Sequence, residues 1–457
     1  MKITKLKIDK LFNYLDKDLT FNSNINLLVG INGSGKTSIL NCIKWLTNLS
    51  FYDLYITPFN SLEISFILNN KNYTLRCTKE SNIMTFFLNS IDDRQKFHPI
   101  KLELPYSSDE ILKDDEILLK FKRILLTSKP EEHELNTWNF LKNIPKPTII
   151  GLDRTLYMEE DEELYKETSI LIRKKTSNKT PLSIAKDKIN AQYKKNKHEI
   201  FNLSRSLNHK IMSHIFEGVV TLSETYSESI IQKITEKKID KMRKRIKDYF
   251  ETYISTEHTE EYENYSNNLD NYFDNLIVII KEHKRIIDKG NNQNESIYSI
   301  INAHHFKRLE LFLIHFETFE KKVKKISEKL ENFLKIVNNF LLDSSKELKF
   351  KEDTFELVFQ TLNKNKEILT KDIDLSKLSS GEQQILLLCT YLSFNENHTL
   401  FIIDEPELSL HVKWQQDFLK SIENLIDSNT QIILATHSPI LVGNKEENAQ
   451  LLVPFNE

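Results

Sequence analysis

Glycine is close to absent from this chain: eight residues among 457, where ordinary usage near ~7% would supply roughly 30. Cysteine is rarer still. Cys42, Cys77 and Cys389 are the three, and no two are spaced as a metal pair. That excludes a disulfide-stapled scaffold and a thiolate zinc site, and it fits a reducing interior. Long apolar runs are missing too. The stretch at 385–389 is among the longest, far below the ~20 residues that a spanning helix requires. The N-terminus, MKITKLKIDKLF, alternates like a strand and lacks the apolar core of a signal peptide. A cytoplasmic chain without membrane contact is expected. Neither sign of charge prevails, with 63 Lys plus Arg against 66 Asp plus Glu and a formal net charge of −3. A general polycation that coats nucleic acid is excluded, while local basic patches remain open.

Three of the eight glycines, Gly30, Gly33 and Gly35, fall within six residues. They belong to GINGSGKT at 30–37, which fits the G-x-x-x-x-G-K-[ST] pattern of a phosphate-binding loop. The apolar run Ile25–Val29 leads in as a strand. A helical pattern leads out, with Ile39, Leu40, Ile43 and Leu46 on one face. Without Cβ atoms the loop can wrap an anion, and its N–H groups converge on phosphate oxygens at a helix N-terminus. Lys36 would reach the β- and γ-phosphates, and the Thr37 hydroxyl would ligate Mg2+. The candidate nucleotide-binding set is Gly30, Asn32, Gly33, Ser34, Gly35, Lys36, Thr37 and Ser38.

The length admits two or three domains. The first ~100 residues read as short strands at 3–8, 19–21 and 25–29, then a hairpin of 62–68 and 73–77 turning at 69–72. Residues 101–148 are mixed, punctuated by Pro105, Pro130, Pro145 and Pro147. A buried strand at 148–152 precedes Asp153 and Arg154. From about 160 to 345 only Gly218, Gly290 and Pro181 interrupt helical spacing. Leu309, Phe312, Phe316, Phe319, Val323, Ile326, Leu330, Phe333, Val337 and Phe340 step by three and four without a break, the 3.5-residue period of a coiled-coil seam. Ile239, Met242, Ile246, Tyr249 and Tyr253 keep the same rhythm, and GNNQNES at 290–296 separates two helical blocks. The expectation is an all-α, partly coiled-coil insertion at 161–345, as antiparallel arms or as a thicker bundle. It interrupts an α/β head formed by 1–160 and 346–457, where strands return.

Four features of the C-terminal part bear on chemistry. TLFIIDEPE at 399–407 is an apolar strand ending in acids. Asp404 would hold Mg2+ and Glu405 would orient the attacking water, although an acidic pair after a strand also serves as a helix N-cap. LSSGEQQ at 378–384 stands before an apolar helix. Ser379 and Gly381 form another anion-receptive helix N-terminus, and Ser379 with Glu382 also fits a capping box. A strand at 431–435 leads into Thr436, His437, Ser438 and Pro439, which points His437 toward a ligand at the carboxyl end of the sheet. ELSLH at 407–411 follows the acidic pair.

In this order the set resembles the ATP-binding-cassette ATPases, in particular the RecF, SMC and OLD-like branch. GINGSGKT resembles their Walker A, LSSGEQQ their signature motif, LFIIDEPE their Walker B, ELSLH their D-loop and His437 their switch histidine. The resemblance implies an ATP- and Mg2+-dependent ATPase with a mixed sheet, flanking helices and an antiparallel β lobe. It implies two heads face to face, with ATP between Walker A of one chain and Ser379, Ser380, Gly381 and Glu382 of the other. Glu405, His437 and Lys36 are then the catalytic residues, and Thr37 and Asp404 the metal ligands. The signature is Ser-Ser-Gly-Glu rather than the transporter-type Ser-Gly-Gly-Gln, which argues against a membrane transporter. No Q-loop glutamine stands out, and Asp153 and Arg154 are the nearest candidates.

No HExxH or CxxC pair occurs, and nothing in the sequence suggests a fused nuclease. The chain looks like the stand-alone ATPase subunits of bacterial antiphage systems of the PARIS and Septu type. That likeness implies a homo-oligomer, from a head-to-head dimer up to a hexamer, controlling a nuclease or toxin effector in trans. A RecF-like DNA-maintenance ATPase is the rival reading. KKIDKMRKRIK at 237–247, seven of whose eleven residues are Lys or Arg, would contact phosphates or simply form a solvated helix face. A third reading is a scaffold that ATP locks without turnover.

Overall fold

The computed structural model describes residues 1–92, 95–127, 129–151, 156–157, 180–216, 236–253, 267–275, 277–278, 281, 285, 298–394, 399–427, 429–443 and 445–453. Two compact units emerge, one of Met1–Lys194 with Lys329–Glu457 and one of Lys195–Glu328. The strands are β1 (Lys2–Leu11), β2 (Leu15–Thr20), β3 (Ile25–Val29), β4 (Ser61–Leu68), β5 (Lys71–Glu80), β6 (Ile83–Ser90), β7 (Ile100–Glu103), β8 (Thr148–Ile150), β9 (Leu156–Tyr157), β10 (Lys346–Phe350), β11 (Leu357–Leu362), β12 (Ile368–Ile373), β13 (Leu400–Asp404), β14 (Gln431–Thr436) and β15 (Ala449–Leu451). The principal helices are α1 (Lys36–Asn48), α2 (Pro181–Phe216), α3 (Glu236–Tyr253), α4 (Tyr298–Leu341), α5 (Ser380–Phe394) and α6 (Val412–Glu423).

The first unit is built on a central sheet of order β15-β3-β14-β13-β8-β9, parallel except where β9 runs against β8. Strands covered on both faces read as continuous apolar strings, and INLLV, LFIID and QIILAT do so. Their side chains alternate between two cores. Leu28, Leu400, Ile402, Ile433 and Ala435 pack with Ile39, Leu40 and Ile43 of α1. Leu27, Phe401, Ile403, Ile432 and Leu434 pack with Ile385, Leu386 and Cys389 of α5.

An antiparallel sheet, β2-β1-β4-β5-β6-β7, forms the β lobe, and β10-β11-β12 make a third sheet. β4 and β5 are joined at Asn69 and Asn70, with φ of 51° and 61°. Both values lie in the left-handed region, which asparagine tolerates and the twist of a tight hairpin demands. The turn is therefore two residues, shorter than the four-residue stretch expected from sequence. Gln431 staples the central sheet to this lobe. Its Oε1 accepts from the Ile3 N–H at 2.7 Å, and its Nε2 donates to the carbonyls of Ile3 and Asn22, each at 2.7 Å.

In the second unit α2 and α4 run antiparallel: Asn196 Nδ2 donates to the Ile326 carbonyl at 2.9 Å, and Leu207 packs with Phe316, Phe319 and Val323. Ile239, Met242 and Ile246 of α3 are buried, as is Phe273. The second half of the predicted seam has a different fate. Leu330, Phe333, Val337 and Phe340 belong to the core of the first unit, with Phe394 and Trp414. A 3.5-residue period records that a stripe is covered and not what covers it. The expected turn at Asp153 and Arg154, the loop 290–296, Gly218, and the side chains of Lys238, Tyr249, Tyr253, Leu309 and Phe312 lie outside the described residues. Among the described residues no helix is long and apolar enough to cross a membrane.

Candidate nucleotide site

The phosphate loop joins β3 to α1. Gly33 and Gly35 have φ of 85° and 90°, values that penalise any side chain. Gly30 is required for a different reason: a Cβ there would lie 2.4 Å from Ser34 Oγ and 2.8 Å from the Leu452 carbonyl. Asn32 and Gly33 are exposed at the tip, Ser34 is buried beneath it, and Ser38 is half-buried in the first turn of α1. No side chain caps α1, which leaves its first N–H groups for an anion. Lys36 is 4% exposed. Its Nζ donates to the carbonyls of Gly30 at 2.8 Å and Ile31 at 3.1 Å, stretching the ammonium back across the loop mouth.

Parallel pairing brings the acids to this loop. β14 lies between β3 and β13, with Ala435 opposite both Leu28 and Asp404. The Thr37 hydroxyl donates to Asp404 Oδ2 at 2.8 Å. Asp404 Oδ1 is buried without a partner. Burial pushes the Asp404 carboxyl above its ordinary value. The Thr37 bond and the Lys36 charge oppose that, and the charges of Glu405 and Glu407 add to it. Glu405 has φ of 48°, a strained conformation for a non-glycine residue, and its N–H donates to the Ala435 carbonyl at 2.9 Å. Glu405 Oε1 lies 3.7 Å from His437 Nδ1. Lys36, Thr37, Asp404, Glu405 and His437 are thus gathered at one end of the sheet.

The AAA ATPase domain family matches residues 1–442. The chain belongs to this family. Its curated relatives fit the OLD-like ATPases that its motifs resemble. It is 34% identical over 83 residues to the Retron Vc95 probable ATPase of Vibrio cholerae serotype O1 biovar El Tor, a match covering 16% of each chain. It is 28% identical over 160 residues to the Old nuclease of Escherichia phage P2, covering 29% of this chain and 27% of that one. The chain thus spans less than a third of the length of these curated relatives. Among solved structures, the SMC head domain from Thermotoga maritima aligns with 99% of this chain and 94% of its own, at 13% identity and a TM-score of 0.36.

In this ATPase the signature motif divides into two halves. Ser379 and Ser380 are exposed, whereas Gly381 and Glu382 are buried. A Cβ on Gly381 would lie 2.5 Å from the Ser409 carbonyl of the same chain, so the glycine lets α5 approach the turn after β13. The Glu382 carboxylate accepts from Ser344 Oγ at 2.6 Å, Lys346 Nζ at 2.8 Å and the Ser379 N–H at 2.7 Å. Burial works to raise this carboxyl, yet those bonds together hold it below the usual range. Ser379 Oγ accepts in return from the Glu382 N–H at 3.4 Å, closing the capping box. Glu382 is therefore engaged inside its own chain, while Ser379 and Ser380 face outward.

Two residues of the ATPase were not singled out from sequence. Gln384 donates from Nε2 to the Pro406 carbonyl at 2.9 Å, and its buried Oε1 has no partner. It lines a small cavity with Ile150, Tyr391, Asp404 and Glu405. Glu407, the last acid of DEPE, is buried behind His437. The repeated glutamine and the third acid were visible, but neither repetition says which copy turns inward. Three of the seven cations in the basic run at 237–247 are paired within their own unit. Arg243 pairs with Asp274, Lys247 with Asp270 at 2.6 Å, and Arg245 with Glu317 at 2.9 Å and with Glu320.

Proposed function

We propose that this chain binds ATP with Mg2+ and hydrolyses it at composite sites formed by two copies. The bond from Thr37 to Asp404 carries the reading, because it joins the phosphate loop to the acidic strand and sets two oxygens close enough to share one cation. The residues suit the ligands. Gly30 keeps open a cradle that a Cβ would fill, and Asp404 Oδ1 is a buried oxygen that lacks a partner. Thr37 and Asp404 would hold the metal, whose charge offsets that developing on the β- and γ-phosphates. Loop N–H groups and Lys36 bind the phosphates. Glu405 orients the attacking water and takes its proton. His437 donates to the γ-phosphate, and the exposed Ser379 and Ser380 of a second copy close the site. In the full chain, Glu405→Gln is expected to retain ATP and accumulate a dimer in light scattering. Hydrolysis at the parent rate would rule Glu405 out as the base, and a monomer with ATP bound would remove the composite site.

The effector reading follows from the relatives, one a retron ATPase and one a phage nuclease by name. The chain then serves antiphage defence as a sensor or scaffold that restrains a separate nuclease or toxin. The adjacent reading frame tests this. Such a gene, toxic alone and silent when co-expressed, supports control in trans, and a solitary gene overturns it.

A nucleic-acid contact is the second reading, and it rests on α2 rather than on the basic run. Lys195, His198, Arg205 and His209 share its exposed face with Phe201, which is 65% exposed. Between 188 and 216 the single acid is Glu199. A cationic face carrying an aromatic ring suits a phosphate backbone with unstacked bases. Replacing Lys195 and Arg205 by Ala should lower single-stranded DNA affinity and its salt dependence, with replacement of Lys237 and Lys241 as the comparison. Equal loss from both pairs, or no binding at low salt, would reject this surface.

A further inference from the structure

A buried carboxylate outside the residues assigned above to phosphate and metal stands directly behind His437. Glu407 lies in the turn that leaves β13, with its side chain 3% exposed. Its Oε1 accepts from Thr436 Oγ1 at 2.5 Å, from the His437 N–H at 2.8 Å and from the Ser438 N–H at 3.2 Å. His437 Nδ1 is 3.2 Å from the same oxygen. Glu407 Oε2 is buried with no partner, and among the described residues His437 is the ionic partner of this carboxylate. The imidazole is 40% exposed.

We propose that Glu407 is the positioning residue of His437, keeping the proton on Nδ1 and presenting Nε2 to the γ-phosphate. This rests on the ATP-hydrolysing reading above. A neutral imidazole has one proton and two nitrogens that compete for it. A carboxylate accepting at Nδ1 ends that competition and fixes the ring. Donation from Nε2 to a phosphate oxygen then needs a second proton, which the 40% exposed ring takes from solvent, leaving it positively charged. The Glu407 carboxylate offsets that charge, and burial strengthens the attraction relative to water. The same oxygen also ties two strand ends together. Through Glu407 the turn after β13 grips the backbone at 437 and 438, while the Glu405 N–H holds the Ala435 carbonyl. The catalytic acid and the phosphate sensor are thereby kept in register. The amide of Ser438 and the hydroxyl of Thr436 make the grip local to this turn.

The test is Glu407→Gln in the full chain. A glutamine oxygen still accepts from Thr436, His437 and Ser438, so the thermal midpoint should be preserved. ATP affinity and KM should be unchanged, while kcat falls about 10- to 100-fold, as when a histidine loses its orienting carboxylate. Nitrogen NMR of the nucleotide-free parent should show His437 protonated at Nδ1, and the preference should weaken in the variant, because a neutral amide oxygen attracts that proton less than a carboxylate does. Parent-level kcat in the variant, or a parent ring protonated at Nε2, would overturn the proposal. A raised KM with a lowered thermal midpoint would assign Glu407 to packing and overturn it as well. Should the parent prove unable to hydrolyse ATP, the ATPase reading fails, while the NMR signature still decides the positioning.

Discussion

Asp404 shows how residues at this site trade stability for chemistry. Its carboxyl is held above the ordinary value, chiefly by burial, so the folded chain takes up the proton more readily than the unfolded chain. The cost of the buried charge is therefore present at neutral pH and is relieved as pH falls through the raised folded value. Asp404→Asn should raise the thermal midpoint of the nucleotide-free protein by a few degrees. Hydrolysis should fall by at least about 100-fold, the scale of losing one preorganised charge contact. A midpoint that stays level or drops in calorimetry would show that burial of this charge is already compensated. The same reasoning separates the glycines. Gly33 and Gly35 answer a backbone requirement, whereas Gly30 and Gly381 answer close contacts with Ser34, Leu452 and Ser409.

At the scale of elements, the central strands are the clearest case of pattern becoming structure. Strings such as LFIID signal burial on two faces, and the two cores against α1 and α5 supply it. Gln431 is one polar member of such a string, fully buried like Asn26 and Thr436. Its side chain substitutes for a neighbouring strand by bonding Ile3 and Asn22. Gln431→Leu should destabilise the first unit by about 3 kcal/mol, since several buried backbone groups lose their partner. Chemical denaturation would measure it, and a loss below ~1 kcal/mol would mean that water replaces the amide. The basic run of α3 teaches the opposite lesson. Seven cations in eleven residues suggest an open surface, but Arg243, Arg245 and Lys247 are matched by acids from 270, 274, 317 and 320. Those acids are remote in sequence, so no local pattern could reveal the pairing.

Across the molecule, the head is assembled from segments as distant as β3 and β14. The phosphate loop and the acidic pair lie more than 360 residues apart along the chain, yet Thr37 touches Asp404 (|i−j| = 367). Ser379 and Ser380 face outward, and under the composite-site proposal a second copy of the chain would cover them. The expected insertion at 161–345 and the compact unit Lys195–Glu328 differ because α2 and α4 each serve both units.

The amino-acid order alone carries GINGSGKT, LSSGEQQ, LFIIDEPE and the strand that ends before His437, because each is a local string readable from near neighbours. It also carries the alternation of strands and the helical stripe of α4, since those depend on local periodicity. What needed the folded chain was every question of who faces whom. Glu407 rather than Glu405 lies buried behind His437, Glu382 turns inward while Ser379 and Ser380 turn out, and the stripe of α4 divides between two cores. Those outcomes follow from packing between residues hundreds of positions apart, where the identity of a side chain is known but its partner is not.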